Sequence, residues 1–224
     1  MTQHLCLNLV PIFNHLDESS IQIIWQKVKH QKFSKGEFLF TPGDLTDKMF
    51  IIHTGNIKVY QILPSGREQV VNILNAGDFI GEINIFNNDS YQENYAEILQ
   101  YSEICIIYQS DLIEILKSYP EISLKIIETM SARLNDSYKQ TAQVTTENIG
   151  SRLAMYLVDL VESDSESPTV VLPISRKNIA SFLGTTPESI SRKFKELEDK
   201  GLITQKSRSV IKIINLDELI YYSE

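Results

Sequence analysis

Between Pro120 and Gly150 the chain runs without a single proline or glycine. Neither residue that breaks a helix interior occurs there, and proline is tolerated in a first helical turn, so the stretch predicts one long helix opened by Pro120. Roughly 25 helical residues span about 37 Å, enough to hold two reading heads apart. Ile127, Met130, Leu134 and Val144 fall on a 3,4 spacing that Ser137 and Thr141 complete, which predicts a seam to a second copy of the chain. A helix packed on its own sheet is the alternative.

Upstream, from Phe33 to Ile107, short apolar runs alternate with turn signals: KGEFLF then TPGD, MFIIH then TGN, IKVYQI then PSG, QVVNIL then NAGD. Turns at such intervals predict an antiparallel β-barrel or roll and not alternating βαβ units. Ser110 is the expected N-cap of a helix DLIEILKSY between sheet and rod.

Downstream, a helix is expected from about Glu147 to Val161, then a polar loop SDSESP. Ser175 can cap a helix RKNIASFL ending at Gly184, and Thr186 with Pro187 can start the next. On that second helix Glu188, Ser191, Arg192 and Lys195 share one face, and Ile190, Phe194 and Leu197 the other. One face anchors and the other can read: guanidinium suits guanine, carboxylate suits cytosine N4, and hydroxyl suits several base edges. Lys193 and Lys195 are expected at phosphate. After Gly201, LITQ, KSRS and VIKII predict a hairpin wing with Lys206 and Arg208 at its tip. Ser175, Arg176 and Thr186 complete the candidate DNA surface.

The formal net charge of -8 excludes a protein that coats nucleic acid with its whole surface. Basic residues instead cluster, with nine Lys or Arg against four acids between Arg176 and Lys212. No apolar run reaches the roughly 20 residues of a membrane span, so a cytoplasmic protein with no membrane partner is expected. His4, His15, His30 and His53 stand alone without metal-ligand spacing, and no nucleophile–base arrangement is legible. Neither a cofactor nor an enzyme is expected. The rival to a DNA-binding regulator is a sensor module whose C-terminal domain contacts protein.

With GDFIGEINIF from Gly77, MSARL from Met130 and SRKNIASFLGTTPESISR before the wing, the chain resembles the Crp/Fnr family of bacterial transcription regulators over nearly its whole length. The resemblance implies an α+β fold: a cyclic-nucleotide-binding-like β jelly roll over 1–119, a dimerisation helix over 120–146 and a winged helix-turn-helix over 147–224. It implies a homodimer on double-stranded DNA, working with RNA polymerase. Glu188, Ser191 and Arg192 fall where the Fnr branch has its base readers, and Pro187 where the Crp branch has a further arginine. Inverted repeats with TTGA-like half-sites follow.

Family members that bind cAMP carry Arg-Ser about ten residues after Gly-Glu. Here Gly81 and Glu82 are followed by Gln92 and Glu93, an amide and an acid that would repel phosphate, so a degenerate effector pocket is expected. Glu82 is expected to pair with Arg133 and tie barrel to helix. The resemblance also places Cys105 at the barrel cysteine of iron–sulfur members, but Cys6 is the only other cysteine, two ligands where a cluster needs four. Two-cysteine, cluster-free relatives use an intramolecular disulfide as their switch, with the arm LCLNLVPIF latched to or released from the barrel. Two small buried thiols are the alternative.

Overall fold

The computed structural model describes residues 7, 10–45, 47–82, 91–146, 148–161 and 168–222, apart from the side chains of 136 and 139–146. The chain divides into two compact units, Met1–Asn135 and Asp136–Glu224.

The first unit opens with Leu7 and the turns from Val10 to Leu16, then helix α1 (Glu18–Trp25). Asp17 caps α1 by accepting from the Ser20 amide at 2.9 Å, and hydrogen bonds from Ser19 and Ser20 pull its carboxyl down to about 2. Eight strands follow: β1 (Lys29–Phe33), β2 (Phe38–Phe40), β3 (Lys48–Thr54), β4 (Ile57–Ile62), β5 (Glu68–Leu74), β6 (Phe79–Ile80), β7 (Tyr95–Ile98) and β8 (Ser102–Tyr108). They form two four-stranded sheets, in the orders β1-β8-β3-β6 and β2-β7-β4-β5, with every pairing antiparallel. Helix α2 (Gln109–Ser118) and helix α3 (Pro120–Thr146) follow, and the boundary between the units falls within α3, after Asn135.

The apolar runs MFII and ICII are continuous because both faces of the first sheet are buried. Phe50, Ile52, Ile104 and Ile106 point into the roll with Phe33, Phe40, Ile57, Val59, Leu74 and Ile98. Their neighbours Met49, Ile51, Cys105 and Ile107 point outward into a second core, built with Leu7, Val10, Ile12, Phe13, Ile21, Ile24, Leu112, Ile115, Ile122 and Ile126. Leu7, Val10, Ile12 and Phe13, from the segment expected to be an arm, are therefore core residues. Helix α2 begins two residues earlier than its sequence suggests: Tyr108 is the N-cap and makes no side-chain bond, while the Gln109 amide donates to the Asp47 carbonyl at 2.8 Å. Ser110 lies inside the helix and does not cap it.

Helix α3 carries two apolar stripes. At 100° per residue Ile122, Ile126, Met130 and Arg133 fall within an arc of about 80°. Ile122 and Ile126 are buried in the outer core, and Met130 packs against it. Leu124, Ile127, Leu134 and Tyr138 fall in a second arc centred about 120° away, and all four are exposed, from 53% at Leu134 to 66% at Tyr138. Of the positions expected to share one stripe, Ile127 and Leu134 are exposed, whereas Met130 is turned to the other side. Met130 packs against the core, Leu124 and Tyr138 are exposed beside Ile127 and Leu134, and the side chains of Thr141 and Val144 lie outside the described residues.

The second unit contains α4 (Ile149–Asp159), β9 (Thr169–Val171), α5 (Arg176–Phe182), α6 (Pro187–Asp199), β10 (Ile203–Gln205), β11 (Val210–Ile213) and α7 (Leu216–Ile220). The strands form one antiparallel sheet in the order β10-β11-β9. Leu153, Leu157, Ile179, Ile190, Phe194, Leu197, Ile211, Ile213 and Leu219 are buried between helices and sheet.

Candidate nucleic-acid interface

Ser175 caps α5 by accepting from the Asn178 amide, and Leu183 ends the helix with its carbonyl accepting from Arg152 Nη1 at 2.6 Å. Gly184 then takes φ 69°, a left-handed conformation that disfavours side chains, and reverses the chain. Thr186 caps α6 by accepting from the Ser189 amide at 3.3 Å, with Pro187 at the first helical position. The sequence therefore sets both helix ends and the turn between them.

Helix α6 buries Ile190, Phe194 and Leu197. Glu188, Ser191, Arg192 and Lys195 are all exposed on the other side. The amide of Glu188 and the Thr186 hydroxyl hold the Glu188 carboxyl below the usual range, so it is an ionised acceptor at neutral pH. The Ser191 hydroxyl donates back to the Pro187 carbonyl at 2.8 Å, which leaves its oxygen to accept. Lys193, expected at phosphate, lies in an ion pair with Glu196 at 2.9 Å.

Arg176 departs further from its expected place. Its Nη2 donates to Gln205 Oε1 at 2.7 Å and its Nε to the Arg208 carbonyl at 3.2 Å, while the guanidinium lies 4.2 Å from the Phe194 ring centroid. Burial, and then the charge of Arg208, lower its pKa. The side chain stitches α5 to wing and reading helix. Gln205 is held from the other side, its amide and Nε2 both donating to Glu198 at 2.7 Å. Lys206 and Arg208 remain exposed at the wing tip, whose turn is closed by the Ser209 and Val210 amides donating to Ser207 Oγ. Arg152, Arg176 and Glu198 as supports were missed from sequence, because each acts on a carbonyl or amide that no motif displays.

In the first unit Glu82 and Arg133 meet as expected, with Arg133 Nη1 2.5 Å from Glu82 Oε1. Arg133 Nη2 also donates to the Phe79 carbonyl at 2.8 Å, and its guanidinium lies 4.5 Å from the Phe79 ring centroid. Burial raises the Glu82 pKa against the opposing pull of Arg133. Gly81 has φ 106°, and a Cβ there would sit 2.3 Å from the Lys48 carbonyl oxygen, so close packing alone requires glycine. Gln92 is buried and Glu93 exposed, while residues 83–90 between them lie outside the described residues. Cys105 is half of a disulfide and 1% exposed. Its expected partner, Cys6, lies outside the described residues.

A jelly roll, a long helix and a winged helix-turn-helix with a glutamate, serine, arginine and lysine on its exposed face define a DNA-binding transcription regulator with a sensor-type β domain. The chain belongs to the Crp/Fnr family of such regulators. Residues 30–119 match the cyclic nucleotide-binding domain and residues 151–222 the Crp-like helix-turn-helix domain. Electron transport regulator A of Shewanella oneidensis is 30% identical over 96% of this chain and 85% of its own length. The probable transcriptional regulator flp of Lacticaseibacillus casei is 29% identical over 96% of this chain and 97% of its own. A mutant CooA from Carboxydothermus hydrogenoformans shares the fold at a TM-score of 0.80 and 19% identity, over 97% of this chain and 96% of its own. Regulators of this kind are not enzymes.

Proposed function

We infer that the chain works as a homodimer that reads inverted repeats with TTGA-like half-sites, in the cytoplasm and alongside RNA polymerase. The exposed row Glu188, Ser191, Arg192 and Lys195 carries this reading. Arg192 can bond guanine O6 and N7 together, and ionised Glu188 can accept from a cytosine N4 amine. Lys195, Lys206 and Arg208 supply phosphate contacts beside them. Dimerisation uses Leu124, Ile127, Leu134 and Tyr138, an apolar stripe exposed in the single chain.

The effector differs from cAMP in this reading, because Gln92 and Glu93 offer no cation to a phosphate and Glu93 faces solvent. Control passes instead through oxidation of Cys105. In this reading the arm is not released as a whole. Leu7, Val10, Ile12 and Phe13 are each 0% exposed. Their burial contributes about 6 to 12 kcal/mol at roughly 1.5 to 3 per side chain, more than the roughly 2 to 4 of a disulfide. Reduction therefore acts locally, at the sheet face around Cys105.

Binding to a TTGA-type inverted repeat, measured from low to physiological salt, tests the DNA reading. Affinity should fall linearly on a log–log plot with a slope set by the phosphates neutralised. Salt-insensitive binding, or equal affinity for a scrambled site, would favour a protein-contacting C-terminal domain.

A further inference from the structure

His30 stands directly opposite Cys105 in the β1–β8 register, and its Nδ1 lies 3.4 Å from Cys105 Sγ. Trp25, the last residue of α1, packs against the imidazole with ring centroids 4.0 Å apart and planes inclined by 39°. The sulfur is buried, while His30 is exposed. One ring thus touches a sulfur that water does not reach and at the same time faces solvent, the arrangement a proton relay requires.

We propose that His30 is the proton donor and acceptor for Cys105 when its disulfide breaks and forms. The proposal rests on the redox reading above. In reduction by a dithiol, a reagent thiolate attacks the sulfur bonded to Cys105. That S–S bond breaks, its electron pair goes to Cys105 Sγ, and the sulfur takes a proton from Nδ1 of the imidazolium. The reagent's second thiolate then attacks the reagent sulfur of that mixed disulfide, expels the other protein sulfur as a thiolate that takes a proton from solvent, and closes the reagent's own disulfide, so two electrons pass from dithiol to protein. The imidazole regains its proton from solvent. In oxidation by a small disulfide the order reverses: the other protein thiolate first displaces one half of the reagent, the neutral imidazole then removes the Cys105 proton, and the Cys105 thiolate attacks the protein sulfur of that mixed disulfide and expels the reagent's second half as a thiolate.

The charged and titratable groups facing His30 are His53 on β3 and Glu103 on β8. Glu103 is itself held by Tyr101 at 3.1 Å and Lys32 at 3.4 Å. Burial, and next the charge of His53, hold the imidazole below its ordinary pKa against Glu103. It is therefore neutral at pH 7, ready to act as base, and becomes a better acid catalyst as the pH falls.

The test is the rate at which dithiothreitol releases thiols from the oxidised protein between pH 5 and 8, expressed per reagent thiolate. The wild-type rate should rise about tenfold toward acid, through one ionisation below the usual imidazole value of about 6.5. His30→Gln should be slow and flat across the range. His53→Gln should keep the ionisation but move it to higher pH, because a positive neighbour is gone. An unchanged profile in His30→Gln, or one lost in His53→Gln and kept in His30→Gln, overturns the assignment. DNA affinity of fully oxidised and fully reduced wild type is measured separately. Equal affinities would end the redox reading of function while leaving the proton-transfer result to stand by itself.

Discussion

Arg192 and Lys206 are both exposed cations of the second unit, and the proposed reading gives them different work. Arg192 projects from the same helix face as Glu188 and Ser191, where a planar fork can meet base edges, whereas Lys206 stands at a wing tip. Arg192→Ala is expected to lose about 1 to 3 kcal/mol at one base-pair position and to flatten the preference for the intact half-site. Lys206→Ala should weaken specific and random DNA alike and reduce the salt slope by about one. Binding curves on matched and mutated half-sites separate the two, and equal losses on both DNAs for Arg192→Ala would undo its assignment. Arg176→Ala belongs with neither: it removes the stitch to Gln205 and the Arg208 carbonyl, so its effect should appear in unfolding of the second unit as well as in DNA affinity.

Among elements, α3 depends most visibly on one ion pair. Arg133→Ala would leave Glu82, 3% exposed, without its counter-charge, and losses of about 3 kcal/mol follow such uncompensated burial. The sign of the pH dependence is fixed by the raised pKa of Glu82. A carboxyl that binds its proton more tightly folded than unfolded adds stability below its unfolded pKa and loses it as pH rises through the folded one. Removing Arg133 raises that folded value further, so the deficit of the variant should be largest at pH 7 and shrink toward pH 5. Denaturant unfolding at the two pH values checks this, and a deficit that grows in acid would show that Glu82 is not the group left stranded. The length of α3 and its start at Pro120 were legible in the sequence, as were Thr186, Pro187 and the wing, because proline, glycine and capping residues act locally. Which apolar positions of α3 face the core was not. Met130 and Ile127 are equally apolar letters three residues apart, and only the tertiary neighbours of Met130 decide that it faces the core. Ser110 failed as a cap for the same reason: a backbone carbonyl at Asp47, distant in sequence, already accepts from the first turn. Helix α1 could have been found from Asp17 ahead of ESSIQIIW, and with it the aromatic neighbour of His30.

At the scale of the whole molecule, association of two chains should rest on the exposed stripe. Leu134→Glu, which places a charge in its middle, is expected to give a monomer by light scattering at micromolar concentration with an unaltered first unit. The two stripes of α3 share one stiff rod, and this makes monomer packing and self-association a single thermodynamic balance. Loosening the rod on its barrel side broadens the orientations that the other side presents, and a partner must narrow them again at an entropic cost. Met130→Ala, about a quarter-turn or less from the seam and outside it, should therefore weaken the dimer as well as the fold. Identical dimer dissociation constants for wild type and Met130→Ala would show that the rod carries no such coupling.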